Sequence, residues 1–346
     1  MQTFFVIMIL AFGFLITFQI AKASEYVAVL RGEEQARKQT NRINAFLLLI
    51  FLIVGLIGVY YCNERLKGKI LGEAASTQGE KIDTMLYITL AITGIVFFIT
   101  QILLFWFAFK YQESDNRKAF YFPHNNKLEI IWTVIPAIAL TALVGFGIYY
   151  WFKITGDPPE DAMQVEVTGS QFKWEFRYPG RDGVFGKKYY KNIEPAKNNP
   201  LGQLWDDPYN RDDIVINEMH IVVNKPVKLI IGSKDVIHDV GLAQFRMKMD
   251  AVPGTPTTMW FTPKYTTRQM IEKSGDPDFV YEMSCDQLCG KGHYSMRGVV
   301  IVETQEEFDR WIISKQPQYM AAHPEQAPKK TQAGDTTKTV AATMKK

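Results

Sequence analysis

Twelve residues near the C-terminal end carry the strongest chemistry in the chain: Cys285-Asp286-Gln287-Leu288-Cys289-Gly290-Lys291-Gly292-His293-Tyr294-Ser295-Met296. Two thiols stand four residues apart, an imidazole follows four later, and a thioether three beyond that. Soft sulfur with borderline nitrogen suits copper, whereas magnesium or calcium would call for oxygen. A mononuclear blue-copper site needs only one thiolate. Two cysteines this close can instead bridge two copper ions, each completed by a histidine. The loop supplies one imidazole, so the second must come from elsewhere, and His238 in Ser233-Lys234-Asp235-Val236-Ile237-His238 is the best candidate. The competing chemistries are a redox dithiol and a four-ligand zinc site. Zinc seldom takes methionine, and thioredoxin-type dithiols have two residues between the cysteines, not three.

Something must hold these donors, and the bulk properties bound what it is. A chain of 346 residues has room for a membrane part and one globular domain of about 150 residues. Its 47% hydrophobic content, with mean hydropathy near zero, fits a division between the two. The net charge of +3 is too small to argue for nucleic acid, so none is expected as a partner. With two of the three cysteines in the motif, Cys62 has no partner for a disulfide and reads as a small apolar residue at the end of a membrane helix.

Four apolar segments come first, roughly Phe4 to Ile20, Ile43 to Tyr61, Leu86 to Phe109 and Leu128 to Phe152. Each approaches the ~20 residues that cross ~30 Å of hydrocarbon. The first could be a signal peptide, since Ala21-Lys22-Ala23 imitates a cleavage site, but Met1-Gln2-Thr3 lacks a basic leader. The basic loops Lys22 to Arg42 and Lys110 to Lys127 both belong on the cytoplasmic side. Four retained helices satisfy both and deliver the C-terminal half outside; cleavage would send it inward. The basic connection with Arg65, Lys67, Lys69 and Lys81 opposes this pattern and must lie outside. In the fourth segment, Asn126 with Glu129 reads as a capping box, a role that needs no further function. A carboxylate at the cytoplasmic mouth of a membrane helix could also collect protons. Pro136 should kink that helix, and Trp132 should anchor it at the interface.

Gly156-Asp157-Pro158-Pro159 ends the membrane part. Beyond it lie short β-rich runs separated by turn signals: Met163 to Thr168, Phe172 to Tyr178, Ile214 to Val223, Val227 to Ile231, Thr257 to Thr262, Phe279 to Met283 and Val299 to Glu303. This is the pattern of an all-β Greek-key sandwich, with the ligands on two loops at one end, His238 following a strand. Lys187 to Arg211 reads as a surface excursion, an idle loop or a docking element, and Gln305 to Ser314 as a short closing helix packing Phe308, Trp311 and Ile312. From Lys315 the composition predicts a disordered tail, or one ordered only by a partner, with His323 solvated in it. His220 reads as a structural histidine. Without a Cys-x-x-Cys-His run there is no covalently attached c-type haem.

Taken in order, Glu129-Ile130-Ile131-Trp132-Thr133 through Pro136, Gln171-Phe172-Lys173-Trp174, Ser233 to His238, Lys248 to Gly254 and Cys285 to Met296 resemble subunit II of the cytochrome c oxidases, the haem–copper terminal oxidases. The resemblance covers about Leu86 to Ser314. It implies a cupredoxin domain with a binuclear CuA centre held by His238, Cys285, Cys289, His293, Met296 and the backbone carbonyl of Gln287. It also implies an electron entrance at Phe172 and Trp174, a proton-pathway entrance at Glu129, and a subunit I contact near Lys248 and Asp250. Haem and oxygen chemistry would reside in the partner subunit I, with subunit III alongside. The chain departs from the family's pattern in three ways. Gln287 replaces a glutamate that also binds magnesium, so a magnesium site there loses its anionic ligand. Phe172 stands where relatives carry tryptophan. Two leading helices, Phe4 to Tyr61, exceed the usual pair and favour a bacterial plasma membrane, with the copper domain on the periplasmic face. Charges in the soluble half nearly balance, leaving no acidic field to steer a basic cytochrome. The expected donor is therefore a tethered or docked cytochrome c in a larger respiratory assembly.

The expected fold class is thus an α+β membrane protein, transmembrane helices followed by an all-β cupredoxin domain. The expected divisions are residues 1–62 as two extra helices, 63–83 as an extracytoplasmic connection, 84–152 as a transmembrane hairpin, 153–162 as a linker, 163–314 as the copper domain and 315–346 as a flexible tail. The rival functions are the CuA subunit of a nitric oxide reductase, a copper-free quinol oxidase subunit, which the intact ligand set opposes, and a copper-delivery module.

Overall fold

The structure is a computed structural model, and it describes residues 2–67, 72–114 and 116–326. The chain divides into two units, one of Met1–Gly72 with Met85–Gly145, the other of Glu73–Thr84 with Phe146–Lys346.

Four long helices occur: α1 (Gln2–Arg31), α2 (Glu33–Leu66), α3 (Thr77–Lys110) and α4 (Asn126–Thr155). Each contains a stretch long and apolar enough to cross a membrane, the first of them over Ala11–Leu30. The basic segment expected as a loop from Lys22 to Arg42 is instead helical on both sides of Gly32, which joins α1 to α2 at φ 85°. Its Glu, Gln, Ala, Lys and Arg residues are good helix formers, and that propensity prevails where polarity suggested a loop. Within the first unit, Phe46 meets Phe109 and Phe51 meets Phe105, their ring centroids 5.2 and 5.7 Å apart. Helix α4 runs on through Pro136. The capping box lies one residue earlier than expected: Asn125 Oδ1 accepts the Leu128 N–H, while Glu129 Oε1 accepts the Asn125 N–H.

The second unit is a sandwich of two five-stranded sheets. Its strands are β1 (Met163–Ser170), β2 (Lys173–Tyr178), β3 (Ile214–Ile216), β4 (Glu218–Val222), β5 (Val227–Ser233), β6 (His238–Leu242), β7 (Met247–Ala251), β8 (Thr257–Phe261), β9 (Tyr281–Cys285) and β10 (Arg297–Glu303). One sheet runs β3-β2-β1-β5-β8 and the other β4-β10-β9-β6-β7. Most pairs are antiparallel, but β1 lies parallel to β5 and β4 parallel to β10. Burial alternates along β5 and β10, as it must where one face meets the other sheet. Val165, Phe176, Leu229 and Ile231 from one sheet join Met219, Ile221, Val240 and Val300 from the other in a single buried core.

Several expectations are corrected here. The run Ile214 to Val223 is two strands, because the chain leaves the first sheet at Asn217 and enters the second. Strands β6 and β7 and the helix α5 (Thr267–Ser274) went unread. In β6, Asp239 and Gly241 hide the strand signal although all five residues are buried. His238 opens β6 rather than lying in a loop. The closing helix α6 (Gln305–Ile313) is as expected, with a capping box of Thr304 and Glu307. After it, the segment expected to be a loose tail forms α7 (Gln318–Ala322) against the 187–211 excursion. Asn198 donates to Ala321 O, Gln318 N donates to Asp213 O, and Trp205 packs edge-on to both Tyr319 and His323. His323 is therefore stacked, not solvated, since three rings there gain more from one another than from water. The part of the tail beyond residue 326 lies outside the described residues.

Candidate metal centre

Three segments meet at one end of the sandwich: the β1–β2 turn (Gln171, Phe172), the start of β6, and the β9–β10 loop. Cys285 ends β9, so the sheet itself aims its thiol inward, and Val240 pairs with it across the ladder. Cys289 follows, four residues on, and Sγ of one thiol stands 3.6 Å from the other. Each thiol has its own imidazole: Cys285 Sγ is 3.8 Å from His238 Nδ1, and Cys289 Sγ is 3.7 Å from His293 Nδ1. Met296 Sδ lies 3.9 Å from Cys289 Sγ, and the Gln287 carbonyl oxygen 3.2 Å from Cys285 Sγ. Thus all six donors expected from the sequence converge. The donor atoms of His238, Cys285 and Cys289 lie within 4.8 Å of one another, and all three residues are buried.

The chemistry of this set fits copper. It offers two bridging-capable thiols, two nitrogens and two weak outer donors, a thioether and a carbonyl. Burial, together with the hydrogen bond from the neighbouring Cys285, pushes the Cys289 thiol up to about 11, so a metal binding there must displace a proton.

Around the donors sits a set of residues that the sequence reading passed over. Asp235 Oδ1 is 2.8 Å from His238 Nε2, which leaves Nδ1 free to face the sulfur. Burial acts to raise the Asp235 carboxyl, but hydrogen bonds from Gln171 N–H, His238 and Val236 N–H prevail and hold it below its ordinary range. Gln171 N–H donates to Asp235 Oδ2 at 2.8 Å and Gln171 Nε2 to the Cys289 carbonyl at 2.6 Å. The signal available was Asp235 three residues before His238, inside a segment already singled out. Gly169 permits the packing beneath: a Cβ there would meet both the His238 and Trp174 rings at 3.0 Å.

The two aromatic residues expected at the electron entrance are separated by the structure. Phe172 is 39% exposed, with its ring against Gly290 and Gly292, where a Cβ on Gly292 would approach it to 2.6 Å. Trp174 is 2% exposed and packs edge-on to His238 with centroids 5.9 Å apart. Strand β2 turns the Trp174 side chain into the core, so of the two residues expected at the electron entrance only Phe172 is exposed. His220 is structural as expected, stacked on Trp311 at 3.8 Å. Glu129 belongs to the first unit and is half-buried at the start of α4.

Comparison with known proteins identifies the family. Residues 65–148 match the family "Cytochrome C oxidase subunit II, transmembrane domain", and residues 163–304 its "periplasmic domain". An alternative cytochrome c oxidase subunit 2 from Bradyrhizobium diazoefficiens is 36% identical over 233 residues, covering 67% of this chain and 79% of that protein. A cytochrome c oxidase subunit 2 from Cereibacter sphaeroides is 29% identical, covering 65% and 73%. The crystal structure of the periplasmic domain of subunit II from Bradyrhizobium japonicum is 26% identical, covers 45% of this chain and 94% of that one, and has a TM-score of 0.31. Residues 1–64 lie outside both matched ranges. With the two family matches and a relative 36% identical over 67% of the chain, the chain belongs to the cytochrome c oxidase subunit II family, the haem–copper oxidase component with a transmembrane and a periplasmic domain.

Proposed function

We propose that this chain is the electron-accepting subunit of its oxidase. His238, Cys285, Cys289, His293, Met296 and the Gln287 carbonyl would hold two copper ions between a cytochrome c and the haem of subunit I. The observation carrying this reading is the pairing of each thiol with its own imidazole, at 3.8 and 3.7 Å, around a 3.6 Å sulfur–sulfur approach. Copper held by these residues would supply a one-electron carrier. The chain's own part is to present donors that need little rearrangement, to exclude water with the buried Trp174, and to offer Phe172 to the donor protein. Gln287 is exposed and carries an amide, so the reading includes no magnesium at that side chain.

The surface around the ligand loops supports one reading of the donor. Leu288 is 78% and Tyr294 83% exposed, and Phe172, Val236 and Ile237 are also exposed. An apolar face with no dominant charge suits a lasting partner better than a diffusing one, which is normally steered by charge. We read the donor as a cytochrome c, or a cytochrome c domain, held permanently in a larger assembly with subunits I and III in a bacterial plasma membrane. Glu129 is read as the entrance of a proton pathway into subunit I: one carboxylate oxygen caps α4, and its other oxygen is unengaged among the described residues.

Copper loading of the full chain in detergent tests the central claim. The expected product is purple, binds two coppers and gives a seven-line hyperfine pattern in its EPR spectrum. A single copper with four lines, or zinc in preference, overturns it. Mild-detergent extraction followed by a haem-stained native gel tests the docked donor; a free oxidase turning over rapidly with soluble cytochrome refutes it.

A further inference from the structure

One residue outside the ligand set touches both ligand-bearing segments. Gln171 sits at the β1–β2 turn, joined to Phe172 by a cis peptide. Its backbone N–H donates to Asp235 Oδ2 (2.8 Å), and the other oxygen of that carboxylate stands 2.8 Å from His238 Nε2. Its side-chain Nε2 donates to the Cys289 carbonyl at 2.6 Å. The backbone therefore reaches the imidazole beside Cys285, while the side chain reaches the backbone of Cys289, whose thiol faces His293 and Met296. The approach requires glycine at the next position: Gly290 has φ +128°, and a Cβ there would come within 2.7 Å of Gln171 Nε2. Gly292 likewise makes room for the Phe172 ring.

We propose that Gln171 is a positioning residue that ties the β6 ligand and the Cys loop to the electron-accepting turn, so that all three behave as one rigid piece. This rests on the reading of the site as a copper centre. A carboxamide is suited to the task because its N–H₂ donates to a carbonyl, which a carboxylate of the same shape cannot do. Losing the bond unties the Cys289 backbone without removing any donor to the metal. Partners of this outer kind typically govern metal retention by 10–100-fold.

The test compares the full chain with Gln171→Ala, Gln171→Glu and the exposed-site control Lys291→Ala, each copper-loaded in detergent. Copper content, EPR hyperfine splitting and the rate of copper loss to a chelator are measured. Gln171→Glu keeps the side chain's size, so a loss of folding from a missing side chain is not at issue. The expected result is two coppers in every protein, with loss about 10–100-fold faster and an altered splitting in both Gln171 variants but not in Lys291→Ala. Wild-type retention in both Gln171 variants overturns the proposal, and so does a defect confined to Gln171→Ala, since bulk rather than hydrogen bonding would then be responsible. Failure of the unmodified chain to bind two coppers would instead refute the copper reading itself.

Discussion

At the scale of single residues, the centre depends on side chains that bind the metal and on small ones that let them approach. Cys285 and Cys289 are equivalent in chemistry but not in support: Cys289 has Met296 and His293 beside its sulfur, while Cys285 has His238 and the Gln287 carbonyl. On the proposed reading, Cys289→Ser would replace a bridging sulfur by a hydroxyl that neither bridges nor delocalises charge well. The expected outcome is loss of the seven-line EPR pattern and of the purple colour; their survival would contradict two shared sulfurs. Gly169 is the less obvious case. A methyl there meets His238 and Trp174 at 3.0 Å, so Gly169→Ala should cost about 1–3 kcal/mol by overpacking. Denaturant unfolding would measure that cost, and a shifted copper spectrum should accompany it because the His238 ring is one of the two groups displaced.

At the scale of elements, a buried polar cluster lies away from the candidate copper donors. Arg177 on β2 is fully buried, donates to Asp213, Asn210 and the Gly186 carbonyl, and bonds Glu166 on β1 at 2.8 Å. It thereby pins the 187–211 excursion, expected to be an idle loop or a docking element, to the sheet. Removing one partner of a buried pair leaves an uncompensated charge, so Arg177→Met should destabilise the chain by about 3–5 kcal/mol. Adding Asp213→Leu should recover part of that loss, as a urea titration of the single and double variants would reveal. Asp213 also sets a pH dependence. Burial outweighs the pull of Arg177 and raises its carboxyl to about 6, against ~3.9 when unfolded. The folded chain therefore holds that proton more tightly, and the associated stability is fully present below about pH 4 and lost as pH rises to about 6. Comparing unfolding midpoints of the unmodified chain and Asp213→Asn across that interval should isolate this slope, which the variant lacks.

At the scale of the whole molecule, the first turns of α3 belong to the same unit as the sandwich. Asp83 pairs with Arg246 at 2.8 Å, Glu73 with Lys273 at 2.6 Å, Glu80 with Lys264, and Ser76 donates to the Phe245 carbonyl at 2.6 Å. The Asp83–Arg246 pair is bidentate and largely shielded, which makes it the strongest of the three ion pairs. The connection expected as residues 63–83 is thus in part a fixed piece of the copper domain. For the assembled oxidase, Glu129→Gln keeps the helix cap, since an amide oxygen still accepts from Asn125 N–H, but removes the titratable proton. Turnover and proton uptake should slow several-fold while copper reduction by the donor stays unchanged; equal slowing of both would argue against a proton entrance.

The candidate donor set was legible in the sequence because copper chemistry demands particular atoms, and the loop places five of the six within twelve residues. Hydrophobic length likewise marked four spans, and alternation marked most strands. Apart from the pairing of His238 with the cysteine loop, the sequence left open the relations that depend on chain crossing. The switch of sheet at Asn217, the burial of Trp174, the seating of α7 on the excursion and the reach of Gln171 to two segments join residues up to 123 positions apart. Local periodicity reports which face of an element is apolar, not which distant element covers it. Only packing two twisted sheets into one core decides those partners.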